Sequence, residues 1–98
     1  MSVLIEFAMF PTDKGDSVSE FVAPIIKNII GSGFPHQLTA MGTIIETTTL
    51  EEALAIVNQS YNILEPISER VYSSIKLDIQ KNKDNRLKSK VKSIKDKL

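Results

Sequence analysis

Leu38-Thr39-Ala40-Met41-Gly42-Thr43-Ile44-Ile45-Glu46 decides how this chain of 98 residues is read. It begins as the end of a short strand, reverses at Met41-Gly42, and returns as a β-branched strand closing on a carboxylate. Glycine has no Cβ, so the backbone at Gly42 can reverse or come close to another group. Thr43, Ile44 and Ile45 suit a pleated, half-buried surface better than a helix. The stretch therefore predicts a β-hairpin. Its return strand, with Thr43 and Glu46, is either a shelf for a small molecule or an ordinary hairpin strand. The residues alone support both readings.

Upstream of the hairpin, residues 3–10 alternate as a strand. Val3, Ile5, Phe7 and Met9 form an apolar face; Leu4, Glu6, Ala8 and Phe10 form the other. Glu6 is the anomaly, because a carboxylate in an apolar strand must meet water, a cation or a donor. A loop rich in breakers covers residues 11–16. Ser17-Val18-Ser19-Glu20 then fits a capping box, with Ser17 as the cap. The helix that follows spaces Val18, Phe21, Val22, Ile25, Ile26, Ile29 and Ile30 as a broad apolar stripe. Pro24 within it predicts a kink near residues 19–20 or a loosened first turn. Gly31-Ser32-Gly33 predicts a left-handed cap.

Residues 34–40 read as a short strand led in by Pro35, with His36 as a partly exposed strand residue. After the turn, the next strand runs from Thr43 to about Thr48. Thr49-Leu50-Glu51-Glu52 gives a second capping box, and its helix is expected to bury Leu50, Ala53, Leu54, Val57, Tyr61 and Leu64 before Pro66 stops it. Residues 70–79 alternate again, with Val71, Ser73, Ile75, Leu77 and Ile79 on one side and Tyr72, Ser74, Lys76 and Asp78 on the other. Residues 81–98 place Leu87, Val91, Ile94 and Leu98 at helical spacing, a narrow seam that needs something to pack against.

The order is strand-helix-strand-strand-helix-strand. With right-handed crossovers this predicts an α+β, ferredoxin-like βαββαβ fold, an antiparallel sheet with two helices on one face plus a C-terminal helix. Residues 1–80 are read as the ferredoxin-like domain and 81–98 as an appended basic helix that serves assembly. The fold by itself assigns no function.

Composition narrows the field. The chain has no cysteine and one histidine, which excludes disulfides and thiolate metal sites and predicts no metal centre. No apolar run approaches the ~20 residues that span a bilayer, and the N-terminus shows no export pattern, so a cytoplasmic protein with no membrane partner is expected. Zero net charge conceals a polarity. Residues 1–80 carry four basic and ten acidic side chains, a net of −6, whereas residues 81–98 carry eight basic and two acidic, a net of +6. The basic tail has its counter-charge in its own chain, so docking on that body competes with nucleic acid.

No catalytic motif is evident. Glu6 and Glu46 lie on strands expected to be neighbours, and paired carboxylates can do acid–base work or simply hold a cationic or amino-bearing ligand. An RNA-binding version of the fold would need aromatics on both central strands; Phe7 and Phe10 occupy one, but the strand after the turn has none. Hydroxyls of Ser17, Ser19 and Thr43 are available as donors and acceptors.

Three blocks resemble the family of small thiamine-binding proteins: the first strand ending in Pro11, Ser17-Val18-Ser19-Glu20-Phe21-Val22, and the hairpin stretch from Leu38 to Glu46. A weaker match is Arg70-Val71-Tyr72 with Ile75-Lys76-Leu77-Asp78. The resemblance implies a non-enzymatic binder of thiamine or its hydroxymethylpyrimidine half, with no cofactor and no nucleic-acid partner. It also implies a homo-oligomer, a tetramer built from dimers whose sheets meet face to face. The residue set expected to contact ligand is Glu6, Ser17, Ser19, Met41, Gly42, Thr43 and Glu46. Departures from the family pattern are the loop 12–16 and Pro24.

Overall fold

Alternation in the first strand sets the layers. In the computed structural model, which describes all 98 residues, β1 (Ser2–Pro11) buries Val3, Ile5, Phe7 and Met9 under the helices. Its even-numbered residues look to the opposite, open face. β3 (Gly42–Thr47) pairs antiparallel with β1 on one side, and β4 (Val71–Gln80) on the other. β2 (His36–Thr39) adds to the outer edge of β3, giving the strand order β2-β3-β1-β4. α1 (Ser19–Gly31) and α2 (Leu50–Leu64) cover the odd-numbered face, and α3 (Arg86–Lys95) follows β4. This is the predicted ferredoxin-like βαββαβ arrangement with a third helix.

The core gathers Val3, Ile5, Phe7, Met9 and Ile45 from the sheet with Ile25 and Ile29 of α1 and Ala53, Ile56 and Leu64 of α2. The second capping box forms as expected: the Glu52 N–H donates to Thr49 Oγ1 at 3.2 Å, and the Thr49 N–H donates to Glu52 Oε1 at 2.9 Å. The first does not form. α1 starts at Ser19 with Val18 as its cap, no side chain closes its end, and Ser17 is exposed. Pro24, the sixth residue of α1, has no N–H to donate to the carbonyl of Glu20, so that carbonyl lacks its usual helical partner. In the first turn the Phe21 N–H bonds Val18 O three residues back at 2.9 Å.

Two further expectations shift. The turn residues are Ala40 and Met41, because Thr39 pairs with Gly42, which is the first residue of β3. Along α2 the buried stripe is Ala53, Ile56, Ser60 and Leu64, while Leu54 and Tyr61 are exposed. Ser60 is no obstacle in the core, since its hydroxyl returns to Ile56 O at 2.7 Å and is satisfied within the helix. The apolar side of β4 has the predicted facing but is left partly uncovered at Ile75, Leu77 and Ile79.

Candidate functional site

The hairpin turn is held by its own threonine. Thr39 Oγ1 donates to Gly42 O at 2.8 Å and accepts from the Met41 N–H at 3.2 Å, a side-chain bracket that lets Ala40-Met41 turn without glycine or asparagine. Gly42 itself has φ +156° and packs against β1; a Cβ built on it would lie 3.0 Å from Phe7 O. The absent side chain is therefore what allows the hairpin to close on β1. Met41 projects beyond the turn, 88% exposed.

Under this hairpin lies a cavity of about 330 Å³ between the sheet and α1. Phe7, Met9, Val22, Ile25 and Ile26 supply apolar walls, and Leu38 to Thr43 supply the hairpin side. Thr43 is 2% exposed and opposes Phe7 across the strands. Its hydroxyl and that of Thr39 are the only side-chain polar groups in the lining. A mainly apolar hollow with very few placed polar groups suits a small, flat, weakly polar ligand.

Of the seven residues singled out in the sequence, Met41, Gly42 and Thr43 come together here. Ser17 and Ser19 are exposed around the start of α1 and lie outside the lining. Glu6 is exposed on the open face, where Lys76 approaches it at 3.5 Å. Glu46 shares that face and sits in register with Leu4, at the far end of β3 from the turn.

Glu46 is the most constrained of the set. It is 7% exposed, and both carboxylate oxygens are engaged. Oε2 accepts from Ser2 Oγ at 2.5 Å and the Arg86 N–H at 2.8 Å, and Oε1 accepts from the Leu87 N–H at 3.1 Å. It thus caps the N-terminus of α3 from a distant strand, where a negative charge meets unpaired amides and the positive end of the helix dipole. Burial opposes its charge, but the Ser2 hydroxyl, the two amides and the Arg86 guanidinium outweigh it and hold the carboxyl below its usual range.

Arg86 escapes a reading of the sequence, where it is one of the eight basic residues of the tail. It is 2% exposed. Its guanidinium donates to Ser2 O at 2.9 Å, Ser2 Oγ at 3.1 Å, Asp78 O at 2.6 Å and Asp78 Oδ1 at 2.9 Å. Lys90 reaches the other Asp78 oxygen at 2.7 Å. These bonds, from Lys90 first and then Arg86, depress the Asp78 pKa. One signal was present in the sequence: a cation in the first turn of a helix opposes the macrodipole, so its position wants a local reason.

A second hollow, about 380 Å³, separates α3 from the open face. Leu4, Ile44, Leu87 and Val91 line it together with Glu6 and Lys76. No group of three or more His, Cys, Asp and Glu side chains is placed to hold a metal ion, and no helix is long and apolar enough to cross a membrane.

Residues 5–95 match the family model described as thiamine-binding protein. A UPF0045 protein of Mycobacterium bovis is 33% identical over 94 residues, 96% of this chain and 92% of that one. The crystal structure of a hypothetical protein from Methanocaldococcus jannaschii, also 33% identical, superposes with a TM-score of 0.84 over 96% of both chains. A Thermotoga maritima protein, provisionally assigned to thiamine biosynthesis or salvage, has the same fold at 18% identity. Its TM-score is 0.81 over 96% of this chain and 99% of that one.

Proposed function

The chain belongs to the thiamine-binding protein family, and from that membership we propose that it binds thiamine, or the hydroxymethylpyrimidine half of it, without transforming it. One observation supports a site for the ligand: the family-like Met41-Gly42-Thr43 segment forms one wall of an apolar cavity whose polar side chains are two threonines. An aminopyrimidine is flat and uncharged, so it costs less to bury there than an ion would, and the Thr43 hydroxyl offers it one donor and one acceptor. The Thermotoga maritima relative in fold, with its provisional thiamine role, supports the same direction. Binding without turnover agrees with the state of the two carboxylates. Glu46 spends both oxygens on α3 and Ser2, which leaves Glu6 without a second acid or base of the pair. No cofactor enters this reading. Storage, buffering and delivery of the vitamin all use the same contacts.

Assembly belongs to the proposal as well. A homo-oligomer, a tetramer made from dimers, would cover the apolar side chains left open on β4 and at the tip of α3.

Isothermal titration calorimetry with thiamine and with hydroxymethylpyrimidine tests the ligand. Both should bind, and Thr43→Val, which keeps the shape and removes the hydroxyl, should weaken them by about 1–3 kcal/mol. Equal heats for the two compounds would identify the pyrimidine as the recognised half. Absence of heat with either compound would reject the reading.

A further inference from the structure

We propose that the free backbone edge of Met9 recognises the ligand's aminopyrimidine ring, its N–H donating to a ring nitrogen and its C=O accepting from the adjacent amino group. This rests on the reading that the cavity under the hairpin takes the pyrimidine half, and it names the contact that selects that ring. A ligand bound without the contact would sink the contact and leave that reading intact.

Strand pairing leaves that edge open. In an antiparallel sheet, alternate residues of a strand turn both backbone groups to one neighbour and the rest turn theirs to the other. The Thr12 N–H, one residue past the Pro11↔Val71 pair, donates to Arg70 O at 2.9 Å. The even-numbered residues of β1 therefore address β4 and the odd-numbered ones β3. Val3, Ile5 and Phe7 accordingly meet Thr47, Ile45 and Thr43. Met9 is next in that series and would meet Met41, but the register ends at Phe7↔Thr43, and Ala40-Met41 has left the sheet as the turn. The Met9 N–H and C=O thus point past the end of β3, and no loop or turn group answers either of them. Met9 is 6% exposed and lines the cavity, so the cavity is where the two groups can find a partner.

The pair is also held ready. On its other side β1 runs beside β4 without a break as far as Pro11↔Val71, and Ser73 Oγ adds a bond to Ala8 O at 3.0 Å. Met9 is thereby kept extended, with its N–H and C=O side by side and facing the same way. Pro11, the next odd-numbered residue, has no N–H, so the open edge offers one donor and not a ladder of them. A ring nitrogen beside an exocyclic amino group presents an acceptor and a donor side by side, as one rung of a strand would. Neither threonine of the lining takes this role. Thr39 Oγ1 is engaged with Gly42 O and the Met41 N–H, and Thr43 points its side chain to the helix side of the sheet, away from the plane in which β1 offers its edge.

The chain has three methionines, Met1, Met9 and Met41, so isotopically labelled methionine gives an NMR spectrum simple enough to follow one amide. On saturation with hydroxymethylpyrimidine labelled in its ring nitrogens, a coupling across the hydrogen bond should join the Met9 nitrogen to a ring nitrogen. The analogue that lacks the amino group leaves the Met9 C=O unanswered and should bind about tenfold more weakly in calorimetry. Binding of hydroxymethylpyrimidine with no coupling to Met9, or with equal affinity for the analogue, would overturn the edge contact alone. Absence of binding would overturn the contact together with the pyrimidine reading on which it rests.

Discussion

Gly42 and Glu46, four residues apart on one short strand, do unrelated work. At Gly42 a Cβ would press on Phe7 O at 3.0 Å, and its φ of +156° is one that side chains rarely adopt. Gly42→Ala should therefore cost about 1–3 kcal/mol of stability in urea unfolding; an unchanged midpoint would show that the hairpin can move off β1. Glu46 has a carboxyl pKa lowered from a usual value of 4.5. A depressed folded-state pKa contributes stability that is present above the unfolded value and is lost as pH falls through the folded one. The fastening of α3 should accordingly weaken below about pH 4.5. Asp13 and Asp78 are depressed too, so the Glu46 share is isolated by Glu46→Gln, which should flatten part of that acid limb when amide exchange of Arg86 and Leu87 is followed. An identical acid profile in Glu46→Gln would contradict the capping role. The sequence did not say which face Glu46 takes; that follows from its pairing with Leu4 and from the return of α3, a contact forty residues away.

Elements with local signals were legible, and those fixed by distant contacts were not. The Thr49 capping box, the hairpin and the alternation of β1 all rest on neighbours within a few residues, and each formed. The Ser17 box did not form, and α1 begins two residues later with Val18 as its cap. The stripe of α2 was rotated because hydrophobicity alone favours Leu54 and Tyr61 over Ser60, whereas burial depends on what lies beneath the helix. α3 is the sharpest case. Its seam suggested a helix held by Leu87, Val91, Ile94 and Leu98, yet only Leu87 is half-buried and the other three are exposed. Its first turn is instead pinned by Arg86 and Glu46. Arg86→Ala should cost about 1–3 kcal/mol, because Ser2 O, Ser2 Oγ and Asp78 O lose their donor, while Lys88→Ala on the exposed side should stay within about 0.5 kcal/mol. Thermal unfolding of the two variants checks this, and equal effects would mean that the whole charge of α3, not the one guanidinium, holds it.

At the scale of the molecule, the opposed charges of residues 1–80 and 81–98 meet in part within one chain, through Arg86 and Lys90 on Asp78. The strand and helix order was readable because every layer follows from periodicity. The candidate site was readable only in its hairpin wall: Met41, Gly42 and Thr43 are contiguous, whereas Val22, Ile25 and Ile26, which close the cavity from α1, carry no mark that separates them from core. Whether the cavity under the hairpin holds the ligand is tested most directly by titrating thiamine into isotopically labelled protein and following backbone amide shifts by NMR. Saturable shifts should centre on Met41, Gly42, Thr43 and Val22, with Glu6, Lys76 and Leu87 little changed. Shifts that saturate instead around Glu6, Lys76 and Leu87 would move the site to the hollow beneath α3 and contradict the account.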